Sequence, residues 1–435
     1  MSRPSLGIGI VGAGTVGAGV IELLTERAAL LQERAGIALE IARAADIDQS
    51  RLQALGLPKD RISSRADAVI ADPNVDLVIE LIGGTDAAYD LVAAGLKAGK
   101  PIVSANKALL AERGQGLFQL AAEQQVPLRF EAAVCGAIPI IRALRDGLVA
   151  DRIERLLGIV NGTCNYVLTR MYEQGQNYAE ALAEAQRHGY AEADPTFDVE
   201  GYDSAHKLTL LSALAFDTQV PYRDVRVEGI SHLAPQDVAI AAEMDYVVKL
   251  LAVARPVEDR LFLSVHPSLL PTGHPLANVS GTMNAVALHS DAAGEAMYYG
   301  RGAGALPTAS AVLSDVVEIA RAKASGRPPA PWVPKAAHRY ALAAGEDYIC
   351  RYYLRATVVD RFGVLGAIAT ILGHHKVSIA SVVQKDVVRS SAEEDSVPIV
   401  ILTHAAREGD LRGALAEVDR LDVVTEPTAV LRIEE

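Results

Sequence analysis

Six residues near the start of the chain, Gly12-Ala13-Gly14-Thr15-Val16-Gly17, restrict the fold more than any other stretch. They follow an apolar run, GIGIV at 7–11, and open a helical pattern, the junction at which a G-x-G-x-x-G carries meaning. Each glycine has its own task there. The first makes a tight turn, the second lets backbone amides approach a pyrophosphate, and the third lets the helix pack close against the strand. The positive end of the helix favours the phosphates. Gly12, Gly14 and Gly17, with Thr15 and Val16 between them, are therefore expected to bind a dinucleotide.

The pattern that follows supports the reading. Short apolar runs at 8–11, 39–45, 75–81 and 101–105 alternate with amphipathic stretches at 15–33, 87–98 and 109–124. That alternation predicts an α/β, doubly wound, parallel sheet. The second run ends in ARAADIDQ, where Asp46 or Asp48 falls where an acid would bond an adenosine ribose hydroxyl and repel a 2′-phosphate. Arg43 and Arg51 lie close by and could instead receive that phosphate, which leaves both NAD and NADP as cofactors.

Composition excludes several other classes. The 435 residues are half hydrophobic and only 22% charged, as in a globular enzyme of two or three domains. A net charge of −13 leaves no electrostatic footprint for nucleic acid or an anionic membrane, so a small molecule is the expected partner. Cys135, Cys164 and Cys350 are too scattered for a disulfide framework. The first residues read as a strand rather than a signal peptide, and no apolar run reaches the ~20 residues of a spanning helix. A cytoplasmic location is expected. His188, His206, His266 and His274 share no metal-ligand spacing, so no catalytic transition metal is expected.

Beyond residue 150 the periodicities change. A strand at 153–160 precedes helices at 164–173, 178–188 and 204–216, and alternating runs at 260–270 and 283–291 predict an antiparallel or mixed sheet. A helix at 307–322 is expected to return to the first domain. Residues 324–346, with four prolines in the first half, read as a linker. The remainder spells strand, helix, strand, strand, helix, strand, a split-βαβ (ferredoxin-like) module of about ninety residues. The expected division is 1–135 with 305–323 for the nucleotide, 136–304 as an α+β substrate and dimerisation domain, and 347–435 as the last module.

The densest polar constellation lies at 183–207, AEAQRHGYAEADPTFDVEGYDSAHK, where five carboxylates precede Lys207 within sixteen positions. Asp203 and Lys207 stand at i and i+4 on one helical face, which could be an exposed pair of only ~0.3–0.5 kcal/mol. A positioned ammonium can also stabilise the alkoxide that forms when a carbonyl accepts a hydride, and can deliver its proton. Lys107, in SANK after a parallel strand, sits where such sheets bind ligands.

The run Ala185, Gly189, Asp194, Pro195, Asp198, Gly201, Asp203, Lys207 resembles the signature of homoserine dehydrogenases, as do SANKALL at 104–110, GIVNGTCNYVLTRM at 158–171 and GRGAGALPTASAVLSD at 300–315. The resemblance covers residues 7–323. It implies reversible, NAD(P)-dependent interconversion of L-homoserine and L-aspartate 4-semialdehyde, on the way to threonine and methionine. It further implies Lys207 as proton donor, Lys107 beside the reacting centre, Glu192 and Asp203 as substrate ligands supported by Asp198, and Gly189 and Gly304 approaching the cofactor with Asp46. A monovalent cation, sodium in type, would be held by Glu131, Val134, Gly136 and Ile138. Residues 348–433 resemble an ACT domain through VVDRFGVLGAIATILGHHKVSIASVVQ, with Phe362 where proline usually precedes the glycine. That implies feedback control, by threonine, near Asp360, Gly363 and Leu365, and the family as a whole implies a homodimer or homotetramer.

Two rival readings have discriminating residues. An acylating aldehyde dehydrogenase would need Cys135 or Cys164 as nucleophile and would leave Lys207 without a task. A non-catalytic amino-acid sensor would be marked by loss of a lysine or glycine, yet Gly12, Gly14, Gly17, Lys107 and Lys207 are all present.

Overall fold

The computed structural model describes residues 5–327, 329–333, 340–384 and 396–435. Its chain divides into two compact units, each assembled from separate stretches. Met1–Gly162, Tyr202–Val225 and Thr282–Arg339 form the first; Thr163–Gly201, Arg226–Gly281 and Tyr340–Glu435 form the second.

The first unit is built on six parallel strands, β1 (Ser5–Val11), β2 (Ala38–Ala45), β3 (Ile62–Ser63), β4 (Leu77–Glu80), β5 (Ile102–Ser104) and β6 (Leu128–Arg129), in the order β3-β2-β1-β4-β5-β6. This is the doubly wound sheet expected, widened by two short strands too brief to announce themselves. Buried Leu6, Ile8 and Ile10 of β1 pack with Val20 and Leu24 and with Val312 and Val316 of the helix Ala305–Ala324. That helix, expected at 307–322, thus shares the core of β1. The expected helix at 15–33 is instead two, Thr15–Glu26 and Ala28–Ala35, broken at Arg27 with φ −113° and no glycine or proline to mark the break. A second, antiparallel sheet joins β7 (Ile153–Ile159) to β11 (Met283–Ser290) and β12 (Gly294–Arg301).

Part of the expected linker falls on residues 328 and 334–339, which lie outside the described residues. Trp332, just before them, is not free chain: its ring packs 5.0 Å from Phe118 and 5.6 Å from Phe130.

In the second unit the long hairpin β9 (Tyr246–Val257) and β10 (Arg260–Pro271) is buried over most of its length. Short strands β8 (Arg226–Val227) and β13 (Ala341–Leu342) pair with β10. The C-terminal stretch forms β14 (Ile349–Val359), β15 (Ile379–Gln384), β16 (Ser396–Thr403), β17 (Ala406–Arg407) and β18 (Ala429–Ile433) around the helices Val364–His374 and Glu408–Val418. The order β18-β14-β16-β15 is that of the split-βαβ module, and β18 also pairs, in parallel, with β10. The module is therefore one sheet with the hairpin rather than a bead on a string.

Candidate active site

The three glycines of the first loop meet three different surroundings. Gly12 has φ +103°, and a Cβ there would lie 2.6 Å from the carbonyl oxygen of Leu81. A Cβ at Gly17 would lie 2.0 Å from the carbonyl oxygen of Gly12. Gly14 has nothing within 4 Å of the position its Cβ would take, and it precedes the helix Thr15–Glu26 with no side chain capping it. The first amides of that helix, beside exposed Thr15 and half-buried Val16, are thus left for an anionic ligand.

Asp46, at the end of β2, accepts from the amide of Ala13 at 2.6 Å and of Asp48 at 2.8 Å, so the acid is tied to the loop itself. Arg43 is engaged with Asp72 at 3.0 Å, and exposed Arg51 lies 3.4 Å from Asp48.

Lys107 and Lys207, a hundred residues apart in sequence, meet on one carboxylate. Lys107 Nζ lies 2.9 Å from Asp203 Oδ1, and Lys207 Nζ lies 2.6 Å from Asp203 Oδ2. Lys207 also donates to the carbonyl oxygen of Val160 at 2.6 Å, and Asn161 Nδ2 donates to Asp203 Oδ2 at 2.8 Å. Lys107 opens the helix Lys107–Glu123, while Asp203 and Lys207 share a face of the helix Tyr202–Ala215. Burial alone would push the Asp203 carboxyl up, yet the ammonium groups of Lys207 and Lys107 hold it well below the usual carboxylate range. Two cations and one anion leave the cluster with a charge of about +1, suited to an oxyanion. His206, next in sequence, is buried 3.3 Å from Glu112, and burial pushes its ring down to about 4.

Val160, Asn161 and Glu112 carried no assigned role in the sequence. Asn161 was within reach, because it directly follows an apolar strand in the IVNGTCN motif; Glu112 has no such marker.

Glu192, Asp198 and Gly189 belong to the second unit. Glu192 is exposed, and Gly189 has φ +74° with open space about it. The Thr163 hydroxyl lies 2.7 Å from the Tyr190 carbonyl oxygen and 3.1 Å from Asp198 Oδ2, so Asp198 braces the start of the helix Gly162–Gln174. In the first unit, Gly304 has φ +119° and precedes the helix Ala305–Ala324.

At the segment expected to hold a cation, both Glu131 oxygens accept amides, from Ile141 and Arg142, each at 2.9 Å. Burial and the neighbouring carboxyl of Asp315 push Glu131 up to about 7. Cys135 and Gly136 both have positive φ, at 56° and 47°, so the backbone reverses tightly beside Val134 and Ile138. A carboxylate short of positive charge beside a tight backbone turn fits a hard monovalent cation. Among the described residues no group of three or more His, Cys, Asp or Glu could hold a metal. All three cysteines are buried and outside any disulfide, and burial pushes Cys135 up to about 11, far from an activated nucleophile. In the C-terminal module, Gly363 has φ +86° before the helix Val364–His374, with Asp360, Phe362 and Leu365 exposed around it.

Comparison with known proteins gives the family to which the chain belongs. Residues 139–317 match the homoserine dehydrogenase family model, 12–131 the homoserine dehydrogenase NAD binding domain, and 352–423 the ACT domain. Homoserine dehydrogenase from Neisseria gonorrhoeae is 43% identical over 98% of both chains, and that from Pseudomonas aeruginosa is 41% identical over 98% of both. The crystal structure of a homoserine dehydrogenase from Thiobacillus denitrificans superposes with a TM-score of 0.93 at 42% identity, covering 99% of each chain. The glycine loop, the lysine pair on Asp203 and the split-βαβ module therefore fall within a single family: the chain belongs to the homoserine dehydrogenases, NAD(P)-dependent oxidoreductases here carrying a C-terminal ACT domain.

Proposed function

We propose that the chain oxidises L-homoserine and reduces L-aspartate 4-semialdehyde with Lys207 as the acid-base group and Lys107 as its electrostatic partner at the reacting oxygen. The nicotinamide, when bound, supplies or takes up the hydride. Lys207 Nζ gives a proton to the carbonyl oxygen as it becomes a hydroxyl, and recovers it in the reverse direction. Asp203 pairs with both ammonium groups and fixes their spacing. Glu192 binds the substrate ammonium group, and Asp198 braces the segment that carries it. The observation that supports this reading most is the single buried carboxylate of Asp203 shared by two lysines.

In the same reading Gly12, Gly14, Thr15, Val16 and Gly17 hold the pyrophosphate, Asp46 and Lys107 with Gly189 and Gly304 complete the cofactor site, and the acid at Asp46 favours NAD over NADP. Glu131 with the carbonyls of Val134, Gly136 and Ile138 holds sodium. Threonine binds near Asp360, Gly363 and Leu365 and inhibits, the enzyme is a homodimer or homotetramer, and it works in the cytoplasm. The domain limits follow the division at 1–135 with 305–323, 136–304 and 347–435.

Initial rates of homoserine oxidation, with NAD and NADP in parallel, test the core of this. Lys207→Ala should lower kcat by about 10²–10⁴-fold while nucleotide binding persists. A folded, nucleotide-binding wild type that turns over neither homoserine nor aspartate semialdehyde would overturn it.

A further inference from the structure

Glu80 ends β4 with none of its surface exposed, and the roles assigned above make no use of it. A buried carboxylate without an arginine or lysine is costly unless hydrogen bonds compensate it. Burial indeed pushes Glu80 above the usual carboxylate range, against the pull of the hydrogen bonds from Ser104 and the Ile82 amide. Such a group persists in a sheet only where its hydrogen bonds organise something.

Those bonds run in one direction. Ser104 Oγ donates to Glu80 Oε2 at 2.5 Å, and the Ile82 amide donates to Oε1 at 3.0 Å. Ser104 Oγ in turn accepts from the Asn106 amide at 3.1 Å. Asn106 then divides its side chain: Oδ1 accepts from the Leu109 amide at 3.1 Å, capping the helix, and Nδ2 donates to the Gly84 carbonyl oxygen at 2.7 Å. The residue after Asn106 is Lys107, the first of that helix. Every link from Glu80 to Lys107 is buried or nearly so, and each bond has one geometry to satisfy.

We infer that Glu80, Ser104 and Asn106 form a positioning relay that sets the angle at which the helix Lys107–Glu123 begins, and so places Lys107 Nζ on Asp203. The inference rests on the proposed role of Lys107 at the reacting centre. None of the three touches substrate; each acts through Lys107. An error of about 1 Å in a reacting group costs as much as 10²-fold in rate, so loosening the relay lowers turnover with the fold intact.

The test uses the full-length enzyme and homoserine oxidation, with Ser104→Ala, Asn106→Asp, Lys107→Ala and the double variant Ser104→Ala/Lys107→Ala. Asn106→Asp keeps the helix cap and removes the side-chain donor to Gly84, which covers the case in which Ser104→Ala does not fold. Ser104→Ala and Asn106→Asp should each lower kcat about 10–100-fold. Ser104→Thr, which restores the hydroxyl, should recover most of the loss. Because the relay acts through Lys107, the double variant should be no slower than Lys107→Ala alone. If Ser104→Ala and Asn106→Asp turn over at the wild-type rate while Lys107→Ala collapses, the relay is wrong and the site reading stands. If the double variant shows the product of the two losses, Ser104 acts elsewhere and the relay is again wrong. A Lys107→Ala enzyme at wild-type rate would remove the site reading itself, and the relay with it.

Discussion

Three glycines within six residues answer to three different neighbours, and substitution separates their roles. Alanine at Gly17 would drive a methyl group to 2.0 Å from a carbonyl oxygen, so Gly17→Ala should cost about 3 kcal/mol or more. Gly14 has φ −69° and open space, which alanine accepts; Gly14→Ala should keep stability within about 1 kcal/mol yet weaken nucleotide binding at least ~10-fold. Thermal melts with and without NADP report both, and a Gly14→Ala enzyme that binds nucleotide normally would contradict the phosphate role of the loop. At this scale the sequence was most legible where chemistry is local. The loop is contiguous, and Asp203 and Lys207 are one helical turn apart. Lys107 was nameable only from its place after a strand and from family resemblance. Its meeting with Asp203 is a tertiary fact with no local spacing to betray it. Nor could the sequence tell that Asp203, expected as a substrate ligand, would have both oxygens already engaged by Lys107, Lys207 and Asn161.

Among the elements, those with strong periodicity or clear punctuation stood out in advance, such as β1, the helix Tyr178–Arg187 with its Asn177–Glu180 capping box, and the C-terminal alternation. Missed were β9, because a run buried on both faces has no period, the break at Arg27, which no glycine or proline marks, and the helix Pro235–Glu243, although Pro235 in its first turn and its alternation of exposed and buried positions were there to be read. How elements join was less legible still. Arg355 of β14 reaches the helix Pro235–Glu243, where its Nε and Nη2 bond Asp237 at 2.5 and 3.0 Å, both side chains being about 5% exposed, and Tyr353 donates to the same carboxylate. Removing one partner strands the other in the interior. Arg355→Leu should therefore cost about 3–5 kcal/mol, and calorimetry should still show the C-terminal module melting with the hairpin rather than ahead of it. An early, separate transition of the module would mean that its junction with β10 is weak.

For the molecule as a whole, the pair Glu131 and Asp315 makes stability depend on pH in an uncommon direction. Burial first, then Asp315, raises Glu131 from 4.5 to about 7, and burial raises Asp315 from 3.8 to about 6. Across that window the folded chain keeps protons that the unfolded chain has released. The stabilisation is complete below the unfolded values and is lost as pH rises toward 7, by about 1.4 kcal/mol for each tenfold difference in proton affinity. The melting temperature without added sodium or potassium should fall between ~pH 6.5 and ~pH 8, above the range in which the buried His206 and His266 rings, held below their usual value, add stability as pH rises, and sodium should restore it more at the higher pH, where a cation faces an ionised Glu131. Equal sodium effects at both ends would speak against a cation at this carboxylate.

The parallel pairing of β18 with β10 has a consequence for how the chain acquires its form. Ser268 and Leu269 find Arg432 and Ile433 only after a loop of roughly 160 residues has closed, and the entropy of that closure comes due before the contact gives anything back. Until then the hairpin edge carries unpaired amides and carbonyls and can recruit a strand from another chain. Refolding at high concentration should therefore lose material to association through this edge, and the last strand acts as the latch that ends the exposure.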